Sequence, residues 1–221
     1  MKIFSALLFS LALLVNQTSH ADEANPLTEQ CQRLAHLDAA TIKTLRTYNP
    51  PDDIFKDESF DDAYLRALRE GSTEAQRSVK SSGKNSSARA GILFAGIVRH
   101  DLPMVKAAYS ASSADYFTSK SVWSLLTVAA SCGFNEGAFF LLDQGSDPNA
   151  GHDLGAFNAA LAVNDYDLAR GLLKAGYNIA NNEKRCRSSG YILHRNEAPV
   201  PADLKASIRA SSCATDASAS H

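Results

Sequence analysis

The sequence lacks a surplus of either charge. Its 22 basic and 24 acidic residues among 221 leave a formal net charge of −2. That is too little positive charge for a protein held mainly to phosphates, or to an anionic membrane surface by a polybasic face. Proline and glycine are scarce, at 7 and 12, and show no G-X-Y period, which excludes a collagen-like rod. Catalytic signatures are missing as well: there is no G-x-S-x-G, HExxH, Walker or G-x-G-x-x-G pattern. No CxxC or HxxxH spacing suggests zinc, and neither a metal nor another cofactor is expected. His36, His100, His152, His194 and His221 are scattered, and none has a neighbour that would position it as a base. The expectation is therefore not an enzyme, with a hydrolase site assembled across loops as the remote alternative. Apolar residues are abundant by contrast. At 45% hydrophobic the chain can build one ordinary core or a short repeat array.

The first 21 residues read as a secretory signal peptide. Lys2 supplies the positive start, Ile3 to Val15 the short apolar run, and Ser19-His20-Ala21 the small-residue exit before Asp22. The run is too short to cross the hydrocarbon comfortably, which disfavours the alternative of an uncleaved anchor. No later segment is long and apolar enough to span a bilayer, so the expected location is the periplasm. All four cysteines, Cys31, Cys132, Cys186 and Cys213, lie beyond the cleavage point. An even count in an oxidising compartment is compatible with disulfides in any of three connectivities. Cys186 and Cys213, which flank the C-terminal segment, are the first candidates. Cys132, and with it Cys31, is alternatively a buried free thiol.

A repeat occupies the middle of the chain. Ser124 to Ala150 and Gly155 to Asn181 superpose at an offset of 31. Each reads as a small-residue helix, a turn, a second helix ending Leu-Leu, and a glycine stop followed by Asn. The register extends upstream to 91–109 and to 62–83. The inter-helix turn column is Gly71, His100, Gly133 and Asn164, residue types that tolerate positive φ. The helix-stop column is Gly83, Ser112, Gly145 and Gly176. Phe139, Phe140, Leu141 and Leu142, with Leu168, Leu172 and Leu173, are expected to stack as core. Ala129, Ala130, Ala159 and Ala160 keep the first helices thin. Ser72 to Lys80, polar apart from Ala75 and Val79, suits an end cap.

The pattern resembles the ankyrin repeat. Ser124-Leu125-Leu126-Thr127 stands at the T-P-L-H position, and Ala129-Ala130, Gly133, Leu141-Leu142, Gly145, Asp147 and Asn149 follow in register. The missing Pro and His predict weaker hydrogen bonding in that loop. The resemblance implies an all-α solenoid of about four repeats, at 57–87, 88–120, 121–151 and 152–183. A helical cap over 22–56 precedes them, and a degenerate capping segment with a tail, 184–221, follows. It further implies a protein partner bound by hairpin tips and by the concave face of the first helices. The residues carried over to that role are Tyr116, Phe117, Trp123, His152, Asp153, Leu154 and Tyr177. Trp123 alternatively packs inward to cover a hairpin. The expected function is an exported interaction module, one version being an immunity or inhibitor protein against an exported toxic enzyme. The alternatives are a periplasmic stress-protective accessory protein and a secreted effector.

The flanks complete the reading. Pro26 starts a helix with Leu27, Cys31 and Leu34 on one stripe, and Asp38 can cap a second helix carrying Ile42 and Leu45. The acidic residues Asp57, Glu58, Asp61 and Asp62 complement a helix N-terminus. Asn85-Ser86-Ser87 is a glycosylation sequon. After Asn182 the repeat decays; 202–208 is expected to be helical, with Leu204 and Ile208 on one face, and can be read as the second helix of a degenerate fifth repeat.

Overall fold

The computed structural model describes residues 26–38, 40, 58–82, 85–110, 113–116, 124–151, 155–181, 183–195 and 200–211. Among them every regular element is a helix and none is a strand, as the all-α reading requires. The chain divides into two compact units, Met1–Val122 and Trp123–His221.

The first unit contains α1 (Pro26–Ala35), α2 (Glu58–Ser82), α3 (Ser86–Val98) and α4 (Leu102–Ala108). The α1 stripe turns inward through Cys31 and Leu34, both buried. The Tyr64 hydroxyl donates to the Leu34 carbonyl at 2.5 Å, and α1 packs on α3. Gly71, at φ 76 and ψ −173, breaks α2 into two helices. Phe60, Tyr64 and Ala67 recur on one face of its first half and are buried. Their rings meet α3 at Phe94, 6.1 Å from Phe60 and 5.4 Å from Tyr64 between centroids. Gly91 makes this approach possible, because a Cβ there would collide with the Phe60 carbonyl oxygen. In the second half of α2, Ala75, Ser78 and Val79 are buried while Thr73, Gln76, Arg77 and Lys80 are exposed.

The N-termini of α3 and α4 carry side-chain caps. Asn85 Oδ1 accepts from Ala88 N at 3.1 Å, so the sequon asparagine spends its acceptor on the helix end. Asp101 Oδ1 accepts from Met104 N at 2.9 Å. The acidic run behaves unevenly: Glu58 opens α2 and Asp62 is exposed, but Asp61 is only 1% exposed and faces the unit's interior.

The second unit contains α5 (Leu125–Ser131), α6 (Asn135–Asp143), α7 (Gly155–Ala162) and α8 (Tyr166–Lys174). A 3-10 turn (Ile179–Asn181), α9 (Glu183–Arg195) and α10 (Ala202–Ala210) complete it. Helix α7 packs on α5, α8 and α9, and α8 packs on α6 and α10. The segment after 182 thus continues as a helix pair: α10 covers the expected helix at 202–208, and α9 precedes it. No proline interrupts 183–195, and Ser189 brings a buried polar group into register with Asn158, 31 residues earlier.

One set of bonds closes three of the helix pairs. The amide two residues past each first helix's cap reaches back five positions: Asp101 to Gly96 at 2.8 Å, Phe134 to Ala129 at 2.9 Å, Asp165 to Ala160 at 2.8 Å. The residue before it sits at positive φ and reaches back three. These are His100 (φ 55) to Ile97, Gly133 (φ 69) to Ala130 and Asn164 (φ 60) to Leu161, each at 3.1 Å. This double closure is the Schellman arrangement. All four members of the turn column have positive φ, although Gly71 has a different ψ and joins helices by a kink. The second helices α6 and α8 end the same way at Gly145 (φ 84) and Gly176 (φ 96). Ser146 N reaches Leu141 O at 3.0 Å and Tyr177 N reaches Leu172 O at 2.9 Å. Gly83 and Ser112 of that column lie outside the described residues.

The core of the second unit differs from the expected one at α6. Leu141, Leu168 and Leu172 are buried, but Phe140, Leu142 and Leu173 are only half-buried, and Phe139 is 38% exposed. Phe139 instead lays its ring on the backbone of α8, where a Cβ on Gly171 would stand 2.5 Å from ring atom Cε1. Two consecutive phenylalanines on a helix point about 100° apart, so one stripe cannot take both.

Candidate partner-binding surface

The surface expected to meet a partner comprises hairpin tips and first helices. The first helices α3, α5 and α7 are closed over most of their length, whereas the first half of α2 exposes Asp62, Arg69 and Glu70. Every residue of α5, residues 155–161 of α7, and 90–98 of α3 are buried. The physical reason lies in their composition. Gly91 to Val98, Leu125 to Ala130 and Gly155 to Ala162 are apolar or small nearly all round, and a helix without a polar face sits inside its unit. Along α3, α5 and α7, therefore, few side chains are open to a partner.

The predicted contact residues divide into three groups. Tyr177 is 5% exposed and stacks on Phe157 at 4.9 Å, inside the second unit, so its role as a surface contact is withdrawn. It follows a Gly stop, and that glycine's positive φ turns the next side chain back onto the helix pair. Tyr116 is half-buried, with its ring parallel to Phe60 at 5.6 Å and 9°, so one face already has an occupant. Phe117, Trp123, His152, Asp153 and Leu154 lie outside the described residues, as does Cys213.

The loops between helix pairs are tied together by asparagine. Asn149 Oδ1 accepts from Asn178 N at 2.8 Å, and Asn149 Nδ2 donates to the Gly176 carbonyl at 3.1 Å. The same local turn then recurs 31 residues on: Asn149 N donates to Asp147 Oδ1 at 2.8 Å, and Ala180 N to Asn178 Oδ1 at 3.0 Å. The Ser124 loop is also well bonded despite lacking Pro and His. Ser124 Oγ accepts from Thr127 N at 3.1 Å and pairs with Thr127 Oγ1 at 2.9 Å. A Ser-Thr pair supplies what the weaker-loop expectation assumed lost.

Electrostatics on the described surface centre on α8 and α10. Arg170 forks onto Asp203, Nε to Oδ2 at 2.7 Å and Nη2 to Oδ1 at 3.1 Å, and also reaches Asp167 at 3.0 Å. The Arg170 hydrogen bond holds the Asp203 carboxyl below its ordinary range, and the Asp203 bond raises Arg170. In the first unit, burial pushes the Tyr64 phenol far up, and burial with the nearby Asp115 raises Tyr109.

Among the described residues no three His, Cys, Asp or Glu are grouped to hold a metal, and no helix is long and apolar enough to cross a membrane. His100 is the left-handed turn residue, and His194 falls within α9 rather than in irregular chain. Cys31, Cys132 and Cys186 are each disulfide-bonded, which overturns the free-thiol alternative for Cys132 and Cys31. Buried apolar surroundings, which suggested thiols, accommodate a disulfide equally well. Compared with known proteins, the chain matches no family model, no curated protein and no solved structure.

Proposed function

We propose that the chain is an exported, ankyrin-type interaction module of the periplasm that binds one protein partner and carries out no reaction of its own. The observation that carries this reading is the recurrence, at spacings of 33 and 31 residues, of one turn closure at His100, Gly133 and Asn164. The Asn149 clamp between successive loops supports it. Helix pairs of this kind stack by their faces and present loops along one side. With α3, α5 and α7 closed over most of their length, recognition falls to the hairpins, through Phe117, Trp123, His152, Asp153 and Leu154. Disulfide-bonded cysteines fit an oxidising compartment, and the signal-like start supplies the route. Within this reading the sharper form is an immunity or inhibitor protein that covers an exported enzyme.

Crosslinking and pull-down of the full chain from native cells test it. The expected result is one protein recovered in fixed proportion, with recovery by Trp123→Ala or His152→Ala reduced at least about tenfold, as for a hot-spot residue. Recovery of many unrelated, damaged proteins would favour the stress-protective role instead. Recovery unaffected by either substitution would overturn the hairpin assignment.

A further inference from the structure

The second helices of the second unit lie side by side, with α8 between α6 and α10. Two contacts tie their outer edges: the Phe139 ring lies on Gly171, and the Arg170 guanidinium forks onto Asp203. Along α6 the exposed side chains are Glu136, Phe139 and Asp143, at i, i+3 and i+7, so they share one stripe. That helix carries no basic residue. Along α10 the exposed residues besides Asp203 are Ala202, Ala206, Arg209 and Ala210, with Lys205 half-buried beside them. The Asp203 carboxylate is held by Arg170, as is that of Asp167 on α8. Among the described residues no ion pair holds Glu136, Asp143, Lys205 or Arg209. The face therefore has an acidic edge, with a 38% exposed phenylalanine in it, and a basic edge floored with alanines.

We propose that the chain pairs with a second copy of itself through this face, each copy's α6 over the other's α10 about a two-fold axis that runs along α8. A two-fold interface must be self-complementary. A face with opposite charges at its two edges meets that demand, because the axis brings each edge over its opposite, twice. Glu136 and Asp143 of one copy then face Lys205 and Arg209 of the other. The exposed edge of Phe139 gains cover from Ala202 and Ala206, which leave room for a ring. On the axis, Arg170 already has its two carboxylates. The exposed Lys174 meets its own counterpart there, which opposes the contact. Area limits the strength further. Nine-residue helices are ~13 Å long and lie ~10 Å apart, so three of them offer ~400 Å² per copy, about half of a standard interface. The pair is accordingly weak and sensitive to salt. No hairpin residue enters this contact, so it stands apart from the partner reading.

Sedimentation velocity of the full chain, up to about 1 mM protein, tests this in low salt and in about 0.5 M salt. The expected result is a monomer–dimer equilibrium whose dissociation constant rises at least about tenfold at high salt. Glu136→Lys with Asp143→Lys makes both edges basic, and Lys205→Glu with Arg209→Glu makes both acidic. Each variant is expected to stay monomeric alone, and the two, mixed in equal amounts, to form a heterodimer at least as readily as wild type pairs. Circular dichroism checks that both are folded; should either fail, the salt series on wild-type protein still decides. A wild-type chain that is monomeric at every concentration in low salt, a dimer indifferent to salt, or a dimer that survives in either variant alone overturns the proposal.

Discussion

Two helix contacts in the second unit share α7 and are built from opposite materials. Toward α5 it meets a helix with no exposed residue; toward α9 it offers Asn158 to Ser189. An apolar contact gains from area and tolerates small shifts, while a buried hydrogen bond gains little net but is costly to leave half-made. The first gives strength and the second gives register. Substitutions should separate the two.

The largest effect is expected on the apolar side. Leu172→Ala, removing a fully buried side chain from α8, should cost about 2–5 kcal/mol and lower the midpoint for the whole second unit in urea titration. If only 183–211 loosened, the middle of the unit would be no stronger than its end. Next comes the polar contact. Ser189→Ala should cost about 1–3 kcal/mol by depriving buried Asn158 of that donor, with faster exchange confined to α9 and α10. A global loss of the Leu172→Ala kind would erase the distinction.

A smaller effect is expected at the turns, where local backbone rather than packing is at stake. Gly133→Ala places a Cβ at φ 69 with no neighbouring atom within 4 Å, so any loss is conformational. About 1–2 kcal/mol is expected for a side chain in the left-handed region, read by thermal melting. Asn164→Gly should be neutral or slightly stabilising.

The smallest effect concerns Arg170 and Asp203, which are solvent-exposed. The Asp203 carboxyl titrates lower in the folded chain than in the unfolded one. Its contribution is fully present above the unfolded carboxylate range and is lost as pH falls through the folded value. Asp203→Asn should therefore lower the melting point slightly at neutral pH, and wild type and variant should converge in strong acid. A gap that persists there would show that the substitution acts through packing.

The sequence was informative wherever one residue type answers one backbone demand. His100, Gly133 and Asn164 were legible as turns because few residues accept positive φ, and all three have it. It was also legible that Cys31 and Leu34 share a buried stripe. The helix over 183–195 was not, because its register with α7 rests on Ser189 meeting Asn158, a contact no apolar period announces. Tyr177 was misread as a contact because its exposure depends on where Gly176 sends the chain. The closure of the first helices could have been found: a segment such as Gly91 to Val98 has no polar side to offer water. Of the candidate contact surface, the residues at 117, 123 and 152–154 lie outside the described part, and only Tyr116 and Tyr177 could be placed.

The corners at His100, Gly133, Gly145, Asn164 and Gly176 are each tied off by bonds that reach back five positions or fewer. Nothing distant is needed to set the shape of these corners. A chain delivered end-first, from a ribosome or through a translocon, can fold each corner as it emerges and leave only the side-by-side stacking for later. Such a chain threads through unstructured and makes its corners on arrival.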